Sequence, residues 1–382
     1  MPLEYDLLLK GGRVIDPAQA LDAVSDVAFK DGRVAAVAPD LSSESAARVI
    51  DGSGNLVIPG LIDIHGHYAF GLHPRDVDPD VVCTANGITT CVDAGSTGWI
   101  NFRGLRRYVI DQVDTRVFAF VHLSAMGSVV TSVLPIPDME DFRLAREEET
   151  IRCIQENRDV VLGVKIRLTP SGTTAANAVP AMEMARRICD QTGAKIMVHV
   201  METPLPMAQL FRFLKPGDIA THAFHGDTHT ILDPEGQLLP EALDAYNSGI
   251  VFDTGSAARH CSLEVSRAAV DQGMLPHTIS TDRTVPRPNS FNYNLHQHMS
   301  TFLALGMPLA EVIRSVTSNP AAVVGRNDIG TLKPGAIGDA AVIALEDGDF
   351  RFEDGLGNNL RASRQFVPVL TVKDGKHWRP NL

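Results

Sequence analysis

The chain of 382 residues is poor in cysteine, in long apolar runs and in positive charge, and each shortage removes a class of protein. Its 5 cysteines, Cys83, Cys91, Cys153, Cys189 and Cys261, are odd in number and form no C-x-x-C pair. That argues against a disulfide framework and against a structural zinc knuckle, and buried thiols are expected. No stretch nears the roughly 20 consecutive apolar residues that span a bilayer, and residues 1–17 lack the ordered regions of a signal peptide. A cytoplasmic protein without membrane contact is expected. Lysine and arginine number 34 against 46 acids, a net charge of −12 that repels phosphate backbones and argues against a nucleic-acid partner. The 5 Tyr, 15 Phe and 2 Trp show no helical stripe and no basic interleaving, so they read as core. What is present, 44% apolar and 21% charged residues, is an ordinary globular composition able to bury a sizeable core.

Residues 1–57 read as short strands and tight turns, with Asp31-Gly32 as a hairpin signal between apolar runs at 26–30 and 33–37. Residues 331–382 look similar, with runs at 339–343 and 369–372 and an Asp-Gly at Asp374-Gly375. Between them, residues 58–330 alternate short apolar runs with helical stretches, the pattern of a parallel sheet with crossover helices. Eight candidate strands fall at 61–65, 89–93, 117–121, 160–166, 195–200, 218–222, 250–253 and 278–281. Candidate helices fall at 102–112, 140–156, 178–192, 205–214 and 263–272. This α/β pattern matches a (β/α)8 TIM barrel, with the N- and C-terminal segments pairing as a small β-sandwich domain because neither end alone has strands enough for a core.

Polar residues stand at or just past the ends of these strands, where a barrel builds its active site. Leu61-Ile62-Asp63-Ile64-His65-Gly66-His67 closes the first, and alternation places Asp63, His65 and His67 on one face. A lone H-x-H is a weak signal. The fifth strand, however, ends on His199, the sixth on His222 and the eighth on Asp282. Four imidazoles and one carboxylate at one rim form a ligand set that suits zinc, with manganese, iron or cobalt as alternatives by geometry and supply. Lys165 interrupts the end of an apolar strand, and the period of two sends Lys165 and Arg167 to the same side. A buried lysine is paired or functional; a salt bridge to a rim acid is the alternative reading. His73, His122, His225, His229, His277, His296, His298 and His377 read as ordinary, and His225 and His260 are the exceptions, both on rim loops.

The run Val57-Ile58-Pro59-Gly60-Leu61-Ile62-Asp63-Ile64-His65-Gly66-His67 resembles the opening of the amidohydrolase superfamily, and His199, His222, Asp282 and the late Thr317-Ser318-Asn319-Pro320-Ala321 follow in that superfamily's order. The resemblance covers essentially the whole chain. It implies two divalent cations: His65, His67 and Asp282 hold one, His199 and His222 the other, and Lys165, carboxylated by carbon dioxide, spans both. Two cations sharing a water lower its pKa from ~15.7 toward about 7, as single zinc sites do, so hydroxide can attack a polarised carbonyl near neutrality. Asp282 is then the natural proton shuttle, and an amide or ester bond is the target.

Within the superfamily the chain resembles a dihydroorotase-like group of acyl hydrolases for small acylated acids, such as acetylated mandelate and related hydroxy or amino acids. The segments 93–98, 101–108 and 221–226 carry that likeness. A true dihydroorotase is expected to place an arginine just after the H-x-H, where this chain has Tyr68-Ala69-Phe70-Gly71. Two loops also depart from the acyl-hydrolase group: Asp253-Thr254-Gly255-Ser256-Ala257-Ala258-Arg259-His260, and the basic, proline-stiffened Arg283-Thr284-Val285-Pro286-Arg287-Pro288. Tyr68, Arg167, Gly255, Ser256 and Arg283 are the candidate substrate contacts, with Arg167 or Arg283 able to grip a substrate carboxylate bidentately. An anionic small-molecule substrate and a homo-oligomeric state are expected. The competing readings are a cyclic amide hydrolase of the dihydroorotase or hydantoinase type, and a non-catalytic scaffold of the same fold.

Overall fold

A computed structural model of the chain describes residues 3–285 and 293–378. The N-terminal strands are β1 (Leu7–Asp16), β2 (Leu21–Lys30), β3 (Arg33–Ala38), β4 (Val49–Asp51) and β5 (Leu56–Pro59). β2 and β3 pair through Val27 with Val37 and Lys30 with Arg33. Asp31 and Gly32 between them both take positive φ, 49° and 76°, as a two-residue hairpin turn of matching twist requires.

The chain then enters a curled parallel sheet: β6 (Leu61–Gly66), β7 (Ile88–Gly98), β8 (Arg116–His122), β9 (Val161–Arg167), β10 (Lys195–His199), β11 (Ile219–Thr221) and β12 (Val251–Asp253), each hydrogen-bonded to the next in chain order. Side chains alternate across it. Val164, Ile166, Ile196 and Val198 pack outward against Ile151, Ile154, Ala181 and Ile188 of the covering helices. Val92, Phe118, Phe120, Met197 and Ile219 fill the inside, and Val323 and Ile329 join that cluster. Burying both faces is what makes such strands read as nearly continuous apolar runs.

Among the described residues this sheet has seven regular strands where eight were expected. Residues 278–281 form no strand, yet they lie between β12 and β6. Asp253 bridges to Thr278, Gly66 bridges to Arg283, and the Asp282 N–H donates to the His65 carbonyl at 2.7 Å. Side chains replace the regular ladder here: the hydroxyls of Thr278 and Ser280 reach Asp253, and that of Thr281 reaches Asp63. The helices differ at their ends too. The one expected at 140–156 spans only Glu147–Glu156, because Asp141 caps a separate short turn at Phe142–Leu144 and three glutamates then open the helix at its positive end. The helix expected at 205–214 is confined to Met207–Phe211.

The C-terminal strands β13 (Ala340–Glu353), β14 (Asn359–Lys373) and β15 (Lys376–Trp378) return to the first sheet, whose order is β15-β14-β13-β5-β1-β2-β3 with β4 beside β1. Both chain ends thus share one sheet. It curls until the Asp31-Gly32 and Asp374-Gly375 turns meet on Gly338, whose N–H donates to Gly32 while its carbonyl accepts from Gly375, both at 2.8 Å. Leu9, Val14, Phe29, Val342 and Val372 pack inside that curl. Residues 315–319 fasten the sheet from below: Asn319 donates to the His277 carbonyl at 2.8 Å, and the Ser315 and Val316 carbonyls accept from the N–H groups of Ile279 and Ile62. Among the described residues no helix is long and apolar enough to cross a membrane.

One glycine sets the spacing beneath the site. A Cβ on Gly163 of β9 would stand 1.8 Å from the Lys195 carbonyl oxygen of β10, an atom fixed in the strand. Gly163→Ala is therefore expected to force the two strands apart and cost about 3 kcal/mol, the upper end for overpacking. A thermal melt checks it; a Tm within error of the wild type would show that the strands can separate freely.

Candidate metal centre and active site

His65 stands near the end of β6 with His67 just beyond, Lys165 lies on β9, His199 ends β10 and His222 follows β11. His65 Nε2 is 3.2 Å from Lys165 Nζ and 3.4 Å from Asp282 Oδ1, and His67 Nε2 is 3.2 Å from that same oxygen. The rings of His199 and His222 are 4.2 Å apart between centres, and His222 is 4.8 Å from His65. These six side chains lie together at one rim. His222 and Asp282 hold left-handed backbone, φ 63° and 50°, a conformation that costs energy and tends to cluster at functional sites.

Asp63 does not join them. The register between β6 and β7 slips between Asp63 and Gly66, so the expected alternation fails there. Asp63 instead faces Tyr68 and Thr281, accepting from their hydroxyls at 3.3 and 2.6 Å.

A seventh group joins the cluster that the sequence marked only as a rim-loop histidine. His260 Nδ1 is 2.9 Å from Asp282 Oδ2, and its ring stands 4.4 Å from that of His222. Two triples, His65–His67–Asp282 and His222–His260–Asp282, each bring three ligand atoms within 4.8 Å of one another. Nε2 of His199 and of His222 are buried with no hydrogen-bond partner among the described residues. Buried polar atoms are normally satisfied, and a cation between the triples would satisfy these. Imidazoles and a carboxylate this close fit a divalent cation.

The electrostatics agree with that fit. Burial, with the neighbouring positive groups, holds His65, His199 and His222 well below the usual imidazole range, so they are neutral and have lone pairs to give. Burial brings the Lys165 amine down to about 7, with Asp282 opposing and Arg167 assisting. For Asp282 burial pushes upward, but His65, His260 and His67 outweigh it and keep the carboxyl well below its ordinary value.

A cavity of about 810 Å³ opens above this cluster. Arg75, Arg167, Arg259 and Glu202 line it with Ser128, Ser132 and Ser171, and residues 134–137 form an apolar lip. Of the five expected substrate contacts, Arg167 is the one among the lining residues. Its guanidinium donates to Asp138 at 2.7 Å and to Ser171 at 3.0 Å. The other four lie outside that lining. Tyr68 is buried, its ring against Gly66 and its hydroxyl on Asp63. Gly255 serves the metal cluster, its carbonyl 2.8 Å from His222 Nδ1, and a Cβ there would stand 2.4 Å from that nitrogen. Ser256 is buried, its N–H donating to the Ser280 carbonyl. Arg283 turns to Asn294 at 3.0 Å, and Pro286, Arg287 and Pro288 of its loop lie outside the described residues. His73, read as ordinary, lines the cavity and pairs with Asp76 at 2.5 Å, whereas His225 accepts from the Asp227 N–H.

A curled parallel sheet that gathers imidazoles, a carboxylate and a buried lysine at the C-terminal ends of its strands defines a metal-dependent hydrolase built on a barrel. The chain belongs to the amidohydrolase family, which residues 56–377 match. It is similar to a deacetylase of Brucella anthropi, 31% identical over 352 residues covering 92% of this chain and 87% of the relative. Among solved structures it is similar to an adenine deaminase, with TM-score 0.89 and 29% identity over 98% of this chain and 100% of the other. A dihydroorotase structure gives TM-score 0.87 and 28% identity over 98% and 99%. Three activities at nearly equal identity agree on the fold and the reaction class, so the substrate has to be argued from the cavity.

Proposed function

We propose that the protein is a binuclear metallohydrolase that cleaves the amide or ester bond of a small acylated amino or hydroxy acid. His65, His67 and Asp282 would hold one divalent cation, His199 and His222 the other, and Lys165 would span both after carboxylation. Zinc is the ion best matched to these donors. The observation that carries this reading is Lys165 itself, 1% exposed with Nζ 3.2 Å from a histidine nitrogen and its amine brought to about 7 by burial. A neutral amine attacks the carbon of carbon dioxide, forming an N–C bond and releasing one proton. The buried neutral amine thereby becomes an anion.

The cation pair supplies, when bound, a water deprotonated near neutral pH and a Lewis acid for the scissile carbonyl. Asp282, held ionised, accepts the proton of the attacking water and returns it to the leaving amine or alkoxide. His260, hydrogen-bonded to Oδ2, keeps that carboxylate turned toward the reacting atoms. Arg167 lines the same cavity and has donors beyond those spent on Asp138 and Ser171, which suits a substrate carboxylate.

A hydrolysis screen over N-acyl amino acids of both hands, O-acetyl hydroxy acids and cyclic ureides tests this, using protein loaded with zinc or manganese in bicarbonate. About two divalent ions per chain and turnover of acylated acids are expected; turnover confined to the ureides would replace the reading with cyclic amide hydrolysis, which the likeness to a dihydroorotase structure keeps in view. No bound ions and no turnover would leave a scaffold. Arg167→Gln is expected to raise KM for an anionic substrate by about 10- to 100-fold, the weight of a charge-assisted hydrogen bond, and to change that for a neutral ester little. Equal effects on both would remove carboxylate recognition by this residue.

A further inference from the structure

Two of the histidines proposed as ligands have a hydroxyl and a buried carboxylate lined up behind them. Thr221 Oγ1 lies 2.6 Å from His65 Nδ1 and 2.7 Å from Asp253 Oδ2. A hydroxyl has one proton to give. Asp253 is an acceptor on every side, since Thr278 approaches it at 2.7 Å and Ser280 at 2.8 Å to each oxygen. The Thr221 proton therefore points to Asp253, and the contact with His65 needs its proton on Nδ1. The same count holds at His67. Ser96 Oγ donates to Asp93 Oδ2 at 2.7 Å and lies 2.8 Å from His67 Nδ1, while Asp93 also accepts from the N–H groups of Tyr68 and Ser96.

We propose that Thr221 with Asp253, and Ser96 with Asp93, are positioning residues that fix His65 and His67 as Nδ1–H tautomers, so that Nε2 of both presents a lone pair beside Asp282. The inference rests on the binuclear reading above. His222 follows the same rule by another means: its Nδ1 faces the Gly255 carbonyl, which can only accept. Thr221, Asp253, Ser96 and Asp93 are all fully buried, so their hydrogen bonds compete with no solvent. Carboxylates this deep could also serve as strand fasteners alone, and the two roles part on what happens to a bound ion. A fastener sets folding stability. A positioning relay sets the ligand field.

The test compares cobalt-loaded wild type with Thr221→Val, Thr221→Ser and Ser96→Ala, reading visible absorption and the rate of cobalt loss to a chelator. Valine keeps the shape of threonine and deletes the hydroxyl. Thr221→Val is expected to speed cobalt loss about 10- to 100-fold, as loss of an outer hydrogen-bond partner does, and to shift the absorption bands. Thr221→Ser should restore both. Ser96→Ala should give a loss of the same order through the separate relay on β7, and it decides the matter alone if the valine variant does not fold. Folded variants that keep the wild-type spectrum and release rate would overturn the inference and leave the binuclear reading standing; a wild type that binds no divalent cation would overturn both.

Discussion

Asp282→Asn is expected to lower kcat by about 10²–10⁴-fold, the usual weight of a positioned acid–base group, while leaving two bound cations and a nearly unchanged KM. Asparagine tolerates the left-handed backbone at this position, φ 50°, as well as aspartate does, so the fold should be undisturbed. Its amide oxygen can still serve as the donor that Oδ1 provides between His65 and His67. What it cannot do is take up a proton. The native carboxylate, kept well below its ordinary pKa by His65, His260 and His67 against the pull of burial, is ionised throughout the working range. Metal analysis and steady-state kinetics on one preparation separate the roles: retained metal with collapsed kcat supports the shuttle. Near-native kcat would move the base elsewhere, with His260 next in line because it stands 2.9 Å from the same carboxylate.

The centre was legible because one rule, the alternation of side chains along a strand, governs most of it. On β9 the apolar Val164 and Ile166 pack outward while Lys165 shares the inside with the histidines, as a period of two demands. The rule failed at Asp63 for a local reason, the register slip before Gly66, which no composition signal announces. It failed again at 278–281, where the run Thr278, Ser280, Thr281 and Asp282 spends its side chains on Asp253, Asp63 and the rim instead of extending a ladder. Asp93 and Asp253 were missed although they carry the signal that exposed Lys165, an ionisable group inside an apolar run. Loop residues were hardest to read. Gly255, Ser256 and Arg283 lie next to the centre in sequence, yet the Gly255 carbonyl faces His222, the Ser256 N–H is spent on the Ser280 carbonyl and the Arg283 guanidinium reaches Asn294, and a sequence states proximity without direction.

Lys165→Met is expected to act in opposite directions on the metal-free and the metal-loaded protein. In the metal-free chain, burial lowers the amine from 10.5 to about 7, with Asp282 opposing and Arg167 assisting. Between these two values the unfolded chain carries a proton that the folded chain has shed, so wild-type stability rises with pH across that window. At and below the lower value the penalty is complete. Methionine has similar length and no charge to bury, so the metal-free variant should melt above the wild type, most clearly at about pH 6 and scarcely at all by about pH 10. The loaded protein should respond the other way. Without the side chain that would span both cations, the second ion is released and kcat/KM falls by more than the roughly 100-fold that loss of an outer partner costs. Melting curves of chelator-treated protein at the two pH values, set beside metal content and turnover, read both halves. Equal melting at both pH values would mean that the amine reaches solvent or a counter-ion in the folded state; two retained cations with wild-type turnover would take Lys165 out of the centre.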